Sequence, residues 1–330
     1  MAPLFTRRFL VIAGKGGVGR TTVAAALALA ASRAGLKVLI CQTKAKERLS
    51  SLFGCAPIGT DIVRVRDRLW AVNMEPKAAL REYGSMVLRS EFIAKQVLEN
   101  RVSRAFLHAV PGVEDFAMLG KAWYHTTELE RGRPKYDLVL LDGPATGHVL
   151  TLLGIPDAIL AAVPEGPLSA SARATHDLLR DSQRSAFVVV TLAEDLPVNE
   201  AIELARGAQR MGLPLGPIVV NGVFPPRFRQ GASQQGLQLL LGSDDGARLS
   251  GDAALSALVD SARTEDRRRA LHESQLARLR TDLPLPQLQL PYLFRPELDD
   301  TALSELADRL EGQLRAVEDV VVPIAIASGP

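Results

Sequence analysis

A glycine-rich turn between an apolar run and a strong helix former restricts most tightly how this chain can fold. Residues 14–22 read GKGGVGRTT; they follow the apolar residues 9–13 and precede residues 23–33, which are rich in alanine and leucine. A strand that enters such a turn and continues as a helix is the arrangement of a phosphate-binding loop. Glycines let successive backbone N–H groups converge on an anion, and the helix N-terminus adds positive potential. A chance glycine-rich turn is the alternative, but the flanking strand and helix favour the phosphate loop.

The side chains of this loop depart from the usual pattern at one position. Arg20 stands where a phosphate loop ordinarily has the lysine that contacts the β- and γ-phosphates, and Lys15 is an additional lysine. Thr21 is placed to offer its hydroxyl to Mg²⁺. The residues predicted to bind nucleotide through this loop are Gly14, Gly16, Gly17, Val18, Gly19, Arg20, Thr21 and Thr22.

Bulk composition fits a cytoplasmic α/β protein. Hydrophobic residues make up 47% of the 330 positions, and the formal net charge is only +2, so no basic stripe indicates a nucleic-acid partner. The two cysteines, Cys41 and Cys55, lie in no metal-binding spacing, which favours a reducing cytosol. No signal peptide is visible, and Gly154 and Pro156 interrupt the longest apolar stretch, so we expect no membrane insertion.

Short apolar runs alternate with helical stretches along the chain. This alternation predicts a mostly parallel sheet covered by helices on both faces, here as a single P-loop NTPase domain over residues 1–330. The predicted strands are residues 9–13, 38–41, 69–72, 138–141, 187–191 and 218–221.

Three segments fall outside this alternation. Residues 74–133 show only helical patterning and are predicted to form an inserted helical subdomain. Residues 230–260 are rich in Gln, Gly, Ser and Leu, which indicates a variable loop with a short helix. Residues 265–280 are predicted to form a charged helix that faces solvent.

A second chemical constellation lies at residues 136–148, which read YDLVLLDGPATGH. A buried strand that ends in Asp142 brings a carboxylate near the magnesium shell, so Thr21 and Asp142 are the predicted Mg²⁺ ligands. Asp142 as a simple helix cap is the alternative. The loop after the strand is predicted to respond to the γ-phosphate through Asp142, Thr146, Gly147 and His148, although His148 is also open to a purely structural role.

These motifs together resemble the deviant Walker-A ATPases, and among them the branch that contains the arsenite-pump ATPase (ArsA) and the targeting ATPase for tail-anchored proteins. The resemblance rests on Lys15 within GKGGVGRTT, on DGPATGH at residues 142–148, and on PGVED at residues 111–115. Weaker matches at residues 188–200, 218–221 and 290–294 extend it over nearly the whole chain.

The resemblance implies a dimer that binds ATP or ADP with Mg²⁺ near its interface. Lys15 of each protomer is then expected to reach the neighbour's phosphates, Asn221 to lie beside the adenine, and the segment from Pro291 to Phe294 to close over the base. In the targeting branch the helical subdomain holds an apolar client helix, so a hydrophobic client is an expectation here.

Three departures from the family pattern modify this expectation. Alignment on residues 49–53 places Lys44 where the family has an aspartate that orients the attacking water. A cation cannot accept the water's proton, and loss of such a group typically costs ~10²–10⁴-fold in rate. Arg20 is bulkier than the expected lysine, although it can still pair with phosphate oxygens. The cysteines supply neither an arsenite site nor a zinc site.

The sequence therefore predicts an ArsA-type ATPase with weakened hydrolysis, whose catalytic positions are Lys15, Arg20 and Lys44, in a homodimer or in a heterodimer with a paralogue. Two alternatives remain. One is a pseudo-ATPase that regulates a heterodimer. The other is a positioning ATPase of the ParA/MinD type, which the near-zero net charge and the proline-interrupted C-terminal tail disfavour.

Overall fold

The secondary structure alternates as expected from the apolar runs. The structure, a computed structural model, describes residues 3–43, 47–88, 112–227, 235 and 253–319. The strands are β1 (Phe9–Gly14), β2 (Val38–Thr43), β3 (Val63–Arg66), β4 (Leu69–Met74), β5 (Leu129–Glu130), β6 (Arg133–Pro134), β7 (Leu138–Asp142), β8 (Ser185–Leu192), β9 (Leu215–Val223) and β10 (Gln287–Pro291). The helices are α1 (Arg20–Arg33), α2 (Leu49–Phe53), α3 (Pro76–Leu88), α4 (Val113–Thr127), α5 (Thr146–Ala162), α6 (Pro167–Arg180), α7 (Asp195–Arg210), α8 (Ala253–Asp282) and α9 (Asp300–Asp319), preceded by a 3₁₀ turn at Leu4–Thr6.

Eight strands form one sheet in the order β10-β9-β8-β1-β7-β2-β4-β3. Every pairing in this sheet is parallel except β3 with β4. The predicted fold class, a mostly parallel sheet with helices, is confirmed. Because β1 lies between β7 and β8, the loop that follows it opens at the carboxyl edge of the sheet, beside the end of β7.

Both faces of the sheet are buried. Along β1, Phe9 and Val11 belong to one apolar cluster, whereas Leu10 and Ile12 belong to the other. Helices α1, α2 and α9 contribute to the cluster that contains Leu10, and α3 to α8 contribute to the cluster that contains Phe9. Burial on both faces explains why the central strands are continuous apolar runs in the sequence.

All six predicted strands are present, and four further strands were missed. β3 and β10 form the two edges of the sheet, and their sequences, VRVR and QLQLP, alternate polar with apolar residues. β5 and β6 are only two residues each and pair with one another. A search for buried apolar runs passes over such elements because an edge strand keeps polar side chains.

The described parts of residues 74–133 contain helices α3 and α4, but the ends of this range are not helical. Met74 ends β4, and Arg133 lies in β6. The two helices pack through the edge-on contact of Tyr83 with Phe116 and through an ion pair between the buried Lys121 and Glu82. The structure does not describe residues 89–111.

Two predictions concern segments nearer the C-terminus, and the structure tests only one of them fully. Nearly all of residues 230–252 lie outside the described residues. The solvent-facing helix predicted at residues 265–280 is part of α8, and that prediction was wrong for one face. His272, Leu276 and Leu279 are buried because this face packs on the core. Among the described residues, no helix is both long enough and apolar enough to cross a membrane.

Candidate functional site

The glycine-rich loop has a backbone that larger residues would not tolerate. Gly17 and Gly19 have φ angles of +89° and +86°, in the left-handed region that favours glycine. At Gly14 a β-carbon would collide with the carbonyl oxygen of Val190 on the neighbouring strand. Helix α1 begins at Arg20, directly after the loop, so the loop and the helix N-terminus face the same space.

Asn221 lies beneath this loop. Its amide Nδ2 donates a hydrogen bond to the carbonyl oxygen of Val18 over 3.0 Å. A β-carbon on Gly19 would collide with the same amide, so the contact depends on glycine there. The structure therefore places Asn221 as a support for the loop, and its expected proximity to an adenine remains a prediction.

The two predicted magnesium ligands are in contact. The Thr21 hydroxyl donates to Oδ2 of Asp142 over 2.6 Å, which joins the first turn of α1 to the end of β7. Burial raises the pKa of the Asp142 carboxyl, while the Thr21 hydroxyl, the Arg20 guanidinium and the Gln42 amide act in the opposite direction. Next to it, the Thr43 hydroxyl donates to the Asp142 carbonyl oxygen over 3.0 Å.

Arg20 connects the glycine loop to the predicted switch, which is the loop after β7 that is expected to respond to the γ-phosphate. Its Nη1 donates to the carbonyl oxygen of Gly143 over 2.7 Å, and the Gly143 N–H donates to the Ile12 carbonyl oxygen over 3.1 Å. Burial lowers the pKa of the guanidinium, and the nearby Asp142 raises it. Because an arginine stays protonated under such conditions, the loop carries a fixed cation that touches the residue after Asp142.

A cavity of about 520 Å³ opens beside these groups and reaches the start of α4 and the start of α5. His148, which is exposed, lies on its wall. Gly147 is also exposed in the first turn of α5, and Thr146 begins that helix. The lining residues are Arg20, Thr21, Thr43, Asp115, Met118, Asp142, Gly143, Pro144, Ala145, His148, Thr151 and Leu152.

Lys15 forms an ion pair within its own chain. Its Nζ lies 2.7 Å from Oε1 of Glu200 on α7, and the two side chains are 28% and 30% exposed. No local pattern marks Glu200 as a partner, because it is one of many polar residues on the amphipathic helix α7. Lys44, the third predicted catalytic position, lies outside the described residues.

The segment predicted to close over a base carries a small aromatic cluster. Pro291 ends β10, and the rings of Tyr292 and Phe294 contact each other and Phe224, with centroids 4.9–5.5 Å apart. The Arg227 guanidinium lies 4.1 Å from the centroid of the Phe294 ring. Tyr292 and Phe294 are 48% and 44% exposed, so this cluster is accessible to a planar ligand.

Comparisons with known proteins agree with this geometry. The family model described as anion-transporting ATPase matches residues 7–165, which include the glycine loop, Asp142 and His148. ATPase BagA of Mycobacterium tuberculosis is 26% identical over 320 residues, which cover 93% of this chain and 93% of that protein. Residues 7–165 thus match the ArsA-type ATPase family model, and the similarity to BagA extends over nearly the whole chain. The matched family model and this relative are both described as ATPases.

Other relatives match less of this chain. ATPase ARSA1 of Chlamydomonas reinhardtii is 24% identical over 284 residues, covering 67% of this chain and 36% of that protein. ATPase GET3B of Arabidopsis thaliana is 23% identical over 272 residues, covering 67% of this chain and 65% of that protein.

Proposed function

We propose that this chain is an ArsA-type ATPase that binds Mg-ATP in its glycine loop, hydrolyses it slowly, and acts as a dimer whose state depends on the nucleotide. The observation that carries the proposal is the 2.6 Å contact between the Thr21 hydroxyl and Asp142. This contact lies beside a loop whose backbone requires glycine at Gly17 and Gly19. A hydroxyl and a carboxylate so placed, next to converging N–H groups, are what a hydrated Mg²⁺ and a triphosphate require.

The donor set fits magnesium rather than a softer metal. Thr21 and Asp142 offer oxygen atoms only, and Mg²⁺ usually takes one or two protein oxygens, with waters and substrate phosphates completing its shell. Among the described residues, no cluster of three or more His, Cys, Asp or Glu could hold a metal by itself. When bound, the ion neutralises charge that develops on the β- and γ-phosphates.

Arg20 gives the chain a way to couple nucleotide binding to the switch. In the structure its guanidinium is bonded to the Gly143 carbonyl, directly after Asp142. A triphosphate in the loop would compete for the same five N–H groups, and phosphate oxygens are stronger acceptors than a carbonyl. Nucleotide binding would therefore break or weaken the hydrogen bond from Arg20 to the Gly143 carbonyl oxygen. The loop from Gly143 to His148 would then respond to the nucleotide.

Slow hydrolysis follows from two side chains. Arg20 does not reproduce the compact ammonium of the family lysine, and Lys44 cannot orient or deprotonate water as an aspartate does. We expect the isolated chain to release phosphate far below the rate of ~1–100 s⁻¹ that is ordinary for ATP-using enzymes. Steady-state phosphate release measures this directly, and a rate within that range would contradict the proposal.

A double variant separates these side chains from the rest of the site. Arg20→Lys combined with Lys44→Asp is expected to raise turnover, because it restores both the phosphate contact and the water-orienting acid. Arg20→Lys combined with Lys46→Asp is the matched control, since it makes the same charge change two residues away. Equal turnover in the two double variants would contradict the role given to Lys44.

A regulatory subunit of a heterodimer is the second candidate. The loop keeps Lys15, which the family uses across the interface, while Arg20 and Lys44 alter the chain's own site. In that case phosphate release should stay near zero alone and should rise when a paralogue with intact lysine and aspartate is added. A hydrophobic client remains an expectation: of the methionines at positions 74, 86 and 118, Met74 and Met118 are buried and Met86 is half-buried.

A further inference from the structure

Gln42 is a buried polar residue that none of the roles above uses. It is the fifth residue of β2, and its backbone register places it directly beside Asp142 on β7. Its side chain is fully buried, with 0% exposed. All the preceding residues of β2 are apolar, so a polar side chain here stands out at the end of the strand that leads to the site.

The chemistry of its neighbour fixes which way the amide points. The Nε2 of Gln42 lies 3.4 Å from Oδ2 of Asp142, and a carboxylate oxygen attracts the NH₂ end and repels the carbonyl end. The carbonyl Oε1 must therefore point away from Asp142. This oxygen is buried, and among the residues that the structure describes no donor reaches it. Buried amide oxygens without a donor are rare in folded proteins.

Resting on the proposed function, we propose that Gln42 is a positioning residue for Mg²⁺, and that its Oε1 accepts a hydrogen bond from water that hydrates the ion. Two facts support the assignment. The Thr21 hydroxyl and the Gln42 amide both donate to Oδ2 of Asp142, so Gln42 already belongs to the group around the predicted ligands. Mg²⁺ keeps several of its waters when it binds proteins, and each such water needs an acceptor.

Satisfied and unsatisfied glutamines elsewhere in the chain show what is particular about Gln42. Gln313 uses both ends of its amide on the backbone of Gln289, over 2.7 and 2.8 Å, and so has no remaining need of a ligand. Gln287 also has a buried Oε1 without a donor in the described structure, but it lies on β10, at the edge of the sheet. Gln287 is therefore the matched control for a glutamine far from the magnesium site.

The test compares the affinity for a fluorescent ADP analogue in Mg²⁺ and in EDTA, which gives the gain in affinity that magnesium provides. For Gln42→Leu, which keeps the volume and removes the amide, we expect this gain to fall about tenfold, at the lower end of the effect of outer-shell partners. The affinity in EDTA should stay unchanged, and Gln287→Leu should keep the full gain. A purely structural role of Gln42 would change both affinities together.

A second variant keeps the test decisive if Gln42→Leu does not fold. Gln42→Glu retains an acceptor at the same position, so at pH 8 its gain from Mg²⁺ should be at least that of the wild-type chain. A smaller gain in Gln42→Glu, or a full gain in Gln42→Leu, would overturn the role of Gln42 while leaving the proposed function intact. A wild-type chain that binds no nucleotide would instead overturn the proposed function, and this inference with it.

Discussion

At the scale of single residues, the site is organised around one buried carboxylate. Oδ2 of Asp142 accepts hydrogen bonds from Thr21 on α1 and Gln42 on β2, and its carbonyl accepts one from Thr43. These contacts join β7 to α1 and β2, through residues that precede Asp142 by 99 to 121 positions. Because burial disfavours the charged form, the carboxylate gains more than an exposed one would from a bound cation.

Replacing the hydroxyl of Thr21 tests the first of these contacts. We expect Thr21→Ala to reduce nucleotide affinity in Mg²⁺ by about tenfold or more, because the ion loses a ligand and Asp142 loses a donor. Affinity in EDTA should change little. The control is Thr264→Ala, which removes an exposed threonine hydroxyl on α8, and calorimetry provides the measurement. Equal losses with and without magnesium would mean that Thr21 acts only on the loop.

The raised pKa of Asp142 predicts a pH dependence. Magnesium needs the carboxylate, and burial raises the pKa above the ordinary value of 3.8. As pH falls through the raised pKa, the proton competes with the ion, so the gain in affinity from Mg²⁺ should decline before pH reaches 3.8. Nucleotide titrations from pH 8 down to pH 3.8, in Mg²⁺ and in EDTA, measure this gain. A gain that is still undiminished at pH 3.8 would argue against a raised pKa.

At the scale of elements, the short hairpin β5–β6 shows how the end of α4 is fixed. Its turn places Arg131 and Gly132 at φ angles of 53° and 77°, the left-handed values that a tight two-residue hairpin requires. Glu128, just before the hairpin, accepts hydrogen bonds from His125 and Lys135, each over 2.8 Å. These donors hold the pKa of Glu128 at about 2, with His125 the larger influence.

The hydrogen bonds of Glu128 with His125 and Lys135 predict how the stability of the fold depends on pH. The pKa of Glu128 is lower in the folded state than its ordinary 4.5, so its stabilisation is complete above pH 4.5 and is lost as pH falls towards about 2. At pH 7, Glu128→Gln should lower the free energy of unfolding by about 1–2 kcal/mol, between the values for exposed pairs and charged hydrogen bonds. Urea unfolding at pH 7 and pH 3 measures the difference, with the exposed Glu130→Gln as the control. A deficit as large at pH 3 as at pH 7 would refute this account.

The elements also show how far the sequence could predict the structure. The glycine loop and six strands were predictable because backbone sterics and burial on both faces leave strong patterns at these positions. The edge strand β10 alternates polar residues and carries no such pattern. Within the site, the pairing of Thr21 with Asp142 follows from two motifs. The Glu200 partner of Lys15 does not, because it depends on how α7 packs and no local pattern marks it.

At the scale of the whole molecule, the ion pair between Lys15 and Glu200 bears on assembly. In the single chain, Lys15 forms an ion pair with Glu200 at 2.7 Å. If Lys15 reaches a neighbour's phosphates in a dimer, this ion pair must first break. Both side chains are partly exposed, and such pairs contribute only about 0–1 kcal/mol. The pair is thus weak enough to exchange for a phosphate contact, yet it favours the separate chain.

Removing the carboxylate of Glu200 should shift the equilibrium from the single chain towards the dimer. We expect Glu200→Gln to tighten ATP-dependent dimerisation by up to about fivefold for each protomer, which corresponds to the strength of one exposed ion pair, and a homodimer contains two such pairs. Lys15→Ala should abolish the dependence on ATP while leaving the chain's own nucleotide affinity nearly unchanged. Sedimentation velocity with ATP measures both, and Glu203→Gln, an exposed position on the same helix, is the control. Weaker dimerisation of Glu200→Gln would place Glu200 in the interface instead.

The most direct test of the central claim is calorimetric titration of the purified wild-type chain with ATP, once in Mg²⁺ and once in EDTA. Backbone N–H groups of the glycine loop, Thr21 and Asp142 together should give a dissociation constant in the micromolar range with magnesium and a clearly weaker one without it. A well-folded protein that releases no heat with ATP in saturating magnesium, or that binds equally well in EDTA, would contradict the assignment of this loop as a magnesium–nucleotide site.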